Sequence, residues 1–271
     1  MLGKLLKYDM RAIARSAYPM FIASGIVSLL CCVTLYFTYG LSEAAELLDA
    51  IAVTSGFYTL SIVAIAVLWL VTAYIGISRY SKSLFTDEGY LNMVLPVKTK
   101  TLFNAKLIST FLWVALATVV SGACAIIALY VPTVLYDSEM ISVAVDEIKW
   151  LFGIREEFTA LQRAALIVEL LGNILSFACA VLTVITALTI CYLSVKRYKL
   201  IGSIMFFFVT NLVVEGIISF ADMGIYSLFG EERADAAALT LAIVAAVLYI
   251  AVGVVMYFVN LYLLSNRFNI E

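Results

Sequence analysis

The stretch IAVTSGFYTLSIVAIAVLWLVTAYIGIS, residues 51–78, contains no charged side chain and no proline. A helix needs about 20 residues to cross the hydrocarbon core of a bilayer, and this stretch is longer than that. Lipid offers no hydrogen-bond partner to bare backbone groups, so an apolar run in a membrane must be helical. The stretch therefore predicts a membrane-spanning helix.

Similar apolar runs lie on both sides of this stretch. In total, six spans are predicted at about 17–40, 51–78, 102–136, 164–195, 200–220 and 236–265. Of the 271 residues, 64% are hydrophobic and 13% are charged, whereas soluble domains carry about 25% charged residues. The runs are continuous, which excludes a β-barrel built from alternating segments of about ten residues. We predict an all-α integral membrane protein in which residues 1–271 form a single transmembrane domain.

The charged residues are distributed unevenly between the two predicted sides of the membrane. The N-terminus, the loops 79–106 and 196–199 and the C-terminus share one side. That side holds 13 of the 17 basic residues. Because Lys and Arg stay on the cytoplasmic side during insertion, both termini are predicted to be cytoplasmic. An even number of spans also requires both termini to lie on the same side, and we expect a multi-pass protein of the cell membrane.

Residues 1–16 are too polar to span the membrane but have helical periodicity. Lys4, Lys7, Arg11 and Arg15 form one basic stripe, and apolar residues form another. A basic amphipathic helix of this kind lies in the headgroup layer. We predict an amphipathic elbow helix that leads into the first span. The alternative is a topology signal that happens to be helical.

The sequence lacks the residues that most enzymes and metal sites require. It contains no histidine, which removes the common zinc-protease motif and histidine acid–base catalysis. It contains no GxxxxGK[ST] phosphate loop. Its five cysteines lie in apolar runs without CxxC spacing. We expect neither catalysis nor a metal or other cofactor in this chain.

Four polar residues lie within two of the predicted spans. Glu169 and Asn173 are in the fourth span, and Asn211 and Glu215 are in the fifth. Both carboxylates are predicted to lie at a similar shallow depth near the outer surface. Ionisable residues at membrane depth usually face a cavity or a partner. The four residues therefore indicate a substrate path or a proton site, or else two carboxylates shallow enough to stay hydrated.

The stretch LFTDEGYLNMVLPVKTKTLFNAK, residues 84–106, interrupts the apolar runs between the second and third spans. Thr86 or Asp87 can cap a short helix that Pro96 ends. The apolar face of that helix would consist of Tyr90, Leu91, Val94 and Leu95. Such a face needs to be buried against lipid, the protein's own spans or a soluble partner.

This interruption resembles the cytoplasmic loop of the permeases of export-type ABC transporters, the "ABC type 2" family. The resemblance rests on DEGYLNMVLPV followed by lysines that lead into the third span. The N-terminal KLLKYDMRAIARSAYPMF is similar to the connector helix of these permeases. The resemblance implies a coupling segment over 84–100 that docks on a separate ATP-binding subunit. ATP and Mg would be bound by that subunit, and a second permease copy or a related permease would complete the transporter.

The resemblance also implies roles for individual residues of the coupling segment. Tyr90, Leu91 and Leu95 would pack into the ATP-binding subunit. Asp87 and Glu88 would meet its basic groups or cap the helix. Gly89 would permit a close turn, and Pro96 would end the helix. The segment between the fifth and sixth spans, about 221–235, is shorter than in the lipid-exporting branch of the family.

The expected function is that of a non-catalytic permease subunit of an ATP-driven exporter. The mostly apolar interior favours an amphipathic or hydrophobic substrate, and membrane lipids, not nucleic acid, are the expected surroundings. Two alternatives remain. One is a proton-coupled secondary transporter, which would need ionisable residues near the midplane. The other is a non-transporting membrane sensor or assembly subunit that uses the same loop to bind its partner.

Overall fold

A computed structural model describes residues 2–42, 47–86, 99–136, 142–143, 145–146, 149, 158–194, 198–230 and 233–266. Six long helices make up nearly all of these residues. They are α1 (Leu2–Ser42), α2 (Leu47–Phe85), α3 (Thr99–Tyr136), α4 (Ala160–Ser194), α5 (Lys199–Phe229) and α6 (Ala234–Asn266). All six are long and apolar enough to cross a membrane. The predicted all-α class is confirmed, and the described residues contain six helices of the length and polarity predicted for spans.

The first helix differs from the prediction in its extent. The sequence predicts an elbow over 1–16 and a separate span over 17–40, but α1 continues without interruption from Leu2 to Ser42. Pro19 lies inside it. A proline removes one backbone hydrogen bond and crowds the preceding turn, yet long helical stretches flank it on both sides. The sequence of α1 changes from polar to apolar along its length, but the helix continues through this change.

The fifth helix is also longer than predicted. It ends at Phe229, nine residues beyond the predicted end at 220. Gly230 follows with φ of +67°, and its backbone N–H donates to the carbonyl of Tyr226 at 3.1 Å. Glycine adopts a positive φ without a steric penalty and is therefore common at the ends of helices. The helix stops where the backbone can turn, which is well past the point where the sequence becomes more polar.

The chain forms two compact units, and each is described separately. The first consists of Met1–Arg79 and Ile108–Asp146, which cover α1 and most of α2 and α3. Its core contains Ile13, Ala17 and Trp113, with Phe21 and Ile75 packed around them. The rings of Phe21 and Trp113 stack with centroids 6.0 Å apart. The start of α1 thus buries its apolar side against α2 and α3.

The opposite side of α1 carries the basic residues. Lys7, Arg11 and Arg15 are exposed, whereas Met10 and Ile13 face the core of the unit. The amphipathic pattern predicted for this segment is therefore present in the structure.

The second unit consists of Tyr80–Leu107 and Glu147–Glu271. Helix α4 packs against both α5 and α6, and α5 also packs against α6. Most residues of α4 from Cys179 to Cys191 are buried. A Cβ atom added at Gly253 would lie 3.8 Å from Leu182 Cδ1, so α6 approaches α4 closely there. Small residues allow this approach between helices in lipid.

A capping arrangement joins the first turns of α4 and α6. The backbone N–H of Thr159 donates to Gln162 Oε1 at 3.0 Å, and the backbone N–H of Gln162 donates to Thr159 Oγ1 at 3.2 Å. This reciprocal pair is a capping box. Gln162 Nε2 also donates to Asp235 Oδ1 at 3.1 Å, and Asp235 lies in the first turn of α6. The two helices are therefore held together where they begin.

Buried polar side chains join α4 to α6 and to the end of α2. Asn260 Nδ2 donates to Thr186 Oγ1 at 2.6 Å and to the carbonyl of Met256 at 2.9 Å. Tyr80 and Thr189 hydroxyls lie 3.0 Å apart. Thr189 already donates its proton to its own helix, so Tyr80 is the donor. These hydrogen bonds fix the rotation of α6 and of the end of α2 against α4.

We expect Thr186→Val to destabilise the protein, because this nearly isosteric change removes one acceptor of Asn260. A double-mutant cycle of Thr186→Val with Asn260→Leu should give a coupling energy of roughly 0.6–1 kcal/mol. Titration with a denaturing detergent, followed by circular dichroism, measures the free energy of unfolding. Thr210→Val is the control, since Thr210 donates to the carbonyl of Phe206 in its own helix. A coupling energy of zero would contradict the assigned hydrogen bond.

Candidate functional site

The predicted coupling residues Asp87, Glu88, Gly89, Tyr90, Leu91, Leu95 and Pro96 lie outside the described residues. The helices on either side of this segment are described, and they show where the segment starts and ends. Both flanks, Tyr80–Phe85 and Thr99–Leu107, belong to the second unit.

The flank that precedes the segment is attached to α4. The rings of Phe85 and Tyr192 stack with centroids 4.9 Å apart and planes 15° apart. Lys199 Nζ lies 5.0 Å from the centroid of the same Tyr192 ring. One turn before Phe85, Tyr80 donates its hydrogen bond to Thr189. An aromatic and a polar contact together attach the last turns of α2 to the last turns of α4.

The flank that follows the segment is attached to α6. The rings of Phe103 and Tyr257 have centroids 5.7 Å apart. The hydroxyl of Tyr257 donates to Asn104 Oδ1 at 3.0 Å. Both Phe103 and the nearby Lys106 are buried. The two ends of the predicted coupling segment are thus attached to two different helices of the same unit.

The four polar residues predicted within the spans occupy different settings. Glu169 and Asn173 are exposed on α4. Asn211 is half-buried and donates to the carbonyl of Phe207 in its own helix at 2.9 Å. Glu215 Oε1 accepts a hydrogen bond from Tyr249 on α6. Among the described residues, no hydrogen bond joins any two of these four.

Glu215 and Tyr249 form the strongest candidate site in the second unit. The Tyr249 hydroxyl donates to Glu215 Oε1 at 3.0 Å, and Ser176 of α4 lies beside the same hydroxyl. Side chains from α4, α5 and α6 therefore meet at this point. Tyr249 was not predicted from the sequence. Its place in the middle of an apolar run is the signal that could have indicated it, because tyrosine in spans is enriched at the two interfaces.

The position of Glu215 along its helix differs from the predicted one. The sequence predicts a span over 200–220, which places Glu215 near the outer end. Because α5 covers Lys199–Phe229, Glu215 lies 16 residues after its first residue and 14 before its last. At about 1.5 Å per residue, these separations are about 24 Å and 21 Å. Glu215 is near the midpoint of α5, whereas Glu169 lies nine residues into α4.

A carboxylate at the middle of an apolar helix is costly if lipid surrounds it. Glu215 is exposed at the surface of this single chain. Such a group requires a water-lined cavity, a cation or a proton beside it. The geometry therefore suits the recognition of a positive charge or the transfer of a proton.

The described residues contain no group of three or more His, Cys, Asp and Glu side chains that could hold a metal ion. Comparison with protein-family models, with curated proteins and with solved structures finds no match to this chain.

Proposed function

We propose that this chain is the permease subunit of an ATP-driven ABC exporter whose ATPase is a separate polypeptide. The observation that carries the proposal is the DEGYLNMVLPV segment between the second and third of six apolar helices. The attachment of its flanks to α4 and α6 supports the proposal, since a segment that transmits force needs firm attachment at both ends.

In the proposed mechanism, residues 86–96 form the coupling helix on the cytoplasmic face. Tyr90, Leu91 and Leu95 pack into a cleft of the ATPase, which binds ATP and Mg. Closure of two ATPase subunits moves this helix, and the flanking contacts pass the displacement to α4 and α6. Both termini are cytoplasmic, and the exposed basic stripe of α1 lies against lipid headgroups.

Two such permeases, either identical or related, enclose the transport path. Movement of α4 and α6 in each of them opens the path to one side of the cell membrane or to the other. The cargo is an amphipathic or hydrophobic molecule, because the spans offer a mainly apolar surface.

Isolation of the tagged protein in mild detergent tests the proposal. Mass spectrometry should identify an ATPase with a phosphate-binding loop among the co-purifying proteins. A variant with both Leu91→Asp and Leu95→Asp should lose the ATPase, because two charges would enter the apolar docking face. Thr86→Asp is the matched control: it adds a charge at the start of the segment and keeps a helix-capping side chain.

Each variant must elute from size exclusion like the wild type, so that a loss of binding is not a loss of folding. If the well-folded wild type brings down no ATPase, the exporter proposal is wrong. The chain would then be a sensor, an assembly subunit or a secondary transporter.

Proton-coupled transport is the second candidate function, and the central position of Glu215 favours it. A carboxylate that hydrogen-bonds Tyr249 at the middle of α5 could take up and release a proton. In membrane vesicles, such a transporter would respond to an imposed pH gradient without ATP. The proposed exporter would respond to ATP when an ionophore has removed the gradient.

A further inference from the structure

The carboxylate of Glu215 has no basic residue near it along α4, α5 or α6, the three helices that meet at this point. Helix α4 after Arg163, α5 after Lys199 and the whole of α6 contain no Lys, Arg or His. Arg163 and Lys199 lie in the first turns of their helices. No basic residue of these three helices is therefore near the depth of Glu215.

A second copy of this chain could not supply the missing charge either. The apolar parts of α1, α2 and α3 also lack basic residues, since Arg15, Arg79 and Lys106 lie outside the predicted apolar runs or at their inner edge. The apolar runs that a second copy would contribute therefore carry no Lys or Arg in their middle parts. A proton or a bound cationic molecule is therefore the source of positive charge that fits Glu215.

The surroundings of Glu215 favour a large apolar cation over a small hydrated one. Phe208 and Leu212 precede Glu215 by seven and three residues and therefore share its face of α5. Phe208 is 65% exposed and Leu212 is 75% exposed. The hydroxyl of Tyr249 lies at the carboxylate, which brings an aromatic side chain to the site. An apolar surface with one anionic group is suited to an organic cation with an apolar body.

Tyr249 leaves one carboxylate oxygen available for this purpose. Its hydroxyl donates to Oε1 at 3.0 Å and so orients the carboxylate. Oε2 accepts no hydrogen bond from the described residues. A cationic centre can approach Oε2 while Tyr249 holds the group in place.

We propose that the cargo of this permease is a lipophilic organic cation and that Glu215, held by Tyr249, binds its charge. This inference rests on the proposed exporter function. Glu215 contacts the cargo, and Tyr249 positions Glu215. Phe208 and Leu212 contact the apolar body of the cargo.

Direct binding to the purified chain tests the site without the ATPase. Equilibrium dialysis with tetraphenylphosphonium, a cation, and tetraphenylmethane, a neutral compound of similar shape, measures both affinities in detergent. Glu215→Gln should weaken binding of the cation at least about tenfold, since the charge pair is lost in an apolar setting. Binding of the neutral compound should not change. Asp222→Asn is the matched control, because Asp222 is a carboxylate on the same helix, seven residues nearer its end.

Uptake by inside-out vesicles that contain the permease and its ATPase distinguishes a defect in cargo recognition from a defect in ATP coupling. ATP-dependent uptake of tetraphenylphosphonium should fall at least about tenfold in Glu215→Gln and partly recover in Glu215→Asp. Equal loss of neutral and cationic uptake would assign a proton role to Glu215 and overturn the inference. Cation binding that is the same in Glu215→Gln and the wild type would also overturn it. Absence of ATP-driven uptake of any probe, with selective binding intact, would instead refute the exporter.

Discussion

Tyr257→Leu is expected to reduce ATP-dependent transport at least about tenfold while the ATPase still co-purifies. Tyr257 contacts the start of α3 in two ways, through its ring on Phe103 and through its hydroxyl on Asn104. Leucine removes both contacts and keeps an apolar side chain in the helix. In the proposed mechanism, the coupling segment then moves without displacing α6.

The control for this variant is Tyr262→Leu on the same helix. Tyr262 is 61% exposed, and the same chemical change there should leave transport intact. Tyr257→Phe separates the two contacts, since it keeps the ring and removes the hydrogen bond to Asn104. Its transport rate should lie between those of the wild type and Tyr257→Leu.

Transport and ATP hydrolysis are measured together in proteoliposomes that contain permease and ATPase. Continued hydrolysis without transport would identify the contact as part of the coupling. Unchanged transport in Tyr257→Leu would show that α6 is not driven through this contact. Loss of the ATPase in that variant would show that Tyr257 acts on docking and not on coupling.

The six spans were predictable because the signal depends only on local chain length and polarity. The run 51–78, for example, lies within α2. Lipid imposes a helix on any such run, whatever its neighbours do. The ends of the helices do not follow this rule. The end of α5 depends on the backbone conformation at Gly230, and the change in polarity near 220 marks no break in the helix.

The partner of Glu215 could not be predicted from the sequence. Helices α5 and α6 are apolar on nearly every side, so their sequences do not indicate which face packs inward. The contact between Glu215 and Tyr249 depends on the rotation of both helices. Asn211, one turn before Glu215, donates to the carbonyl of Phe207 in its own helix.

The contacts of the two helix ends that flank the coupling segment could not be predicted from the sequence either. Phe85 and Phe103 read as ordinary apolar residues at the ends of two spans. Their partners, Tyr192 and Tyr257, lie more than 100 residues away along the chain. Sequence pattern indicated the segment itself, whereas only packing indicates what the segment is attached to.

Trp113→Ala is expected to lower the free energy of unfolding by about 3 kcal/mol, the low end of values for aromatic truncation in cores. Trp113 is 4% exposed and packs against Ile13 and Ala17, with its ring stacked on Phe21. Lipid is as apolar as the side chain, so transfer of the ring contributes little to the cost. The loss comes from the cavity that alanine leaves between α1 and α3.

Phenylalanine at the same position should cost much less. The Trp113 Nε1 group is buried and has no acceptor among the described residues. Trp113→Phe removes this donor and keeps an aromatic ring on Phe21. Trp69 offers the matched comparison, because its Nε1 donates to Thr118 Oγ1 at 3.1 Å. Trp69→Phe should therefore cost about 1 kcal/mol for the hydrogen bond alone.

Detergent-titrated unfolding of the four proteins, followed by circular dichroism, gives the order of stability. We expect Trp113→Ala to be the least stable of the four. Loss of the indole N–H should lower the free energy of unfolding less in Trp113→Phe than in Trp69→Phe. An equal hydrogen-bond cost at the two positions would mean that Trp113 Nε1 has a partner in the membrane. If Trp113→Ala lowers the free energy of unfolding by less than about 1 kcal/mol, then the Trp113 ring does not hold α1 in place. Removal of a buried aromatic ring from a well-packed core leaves a cavity that destabilises a protein by more than that.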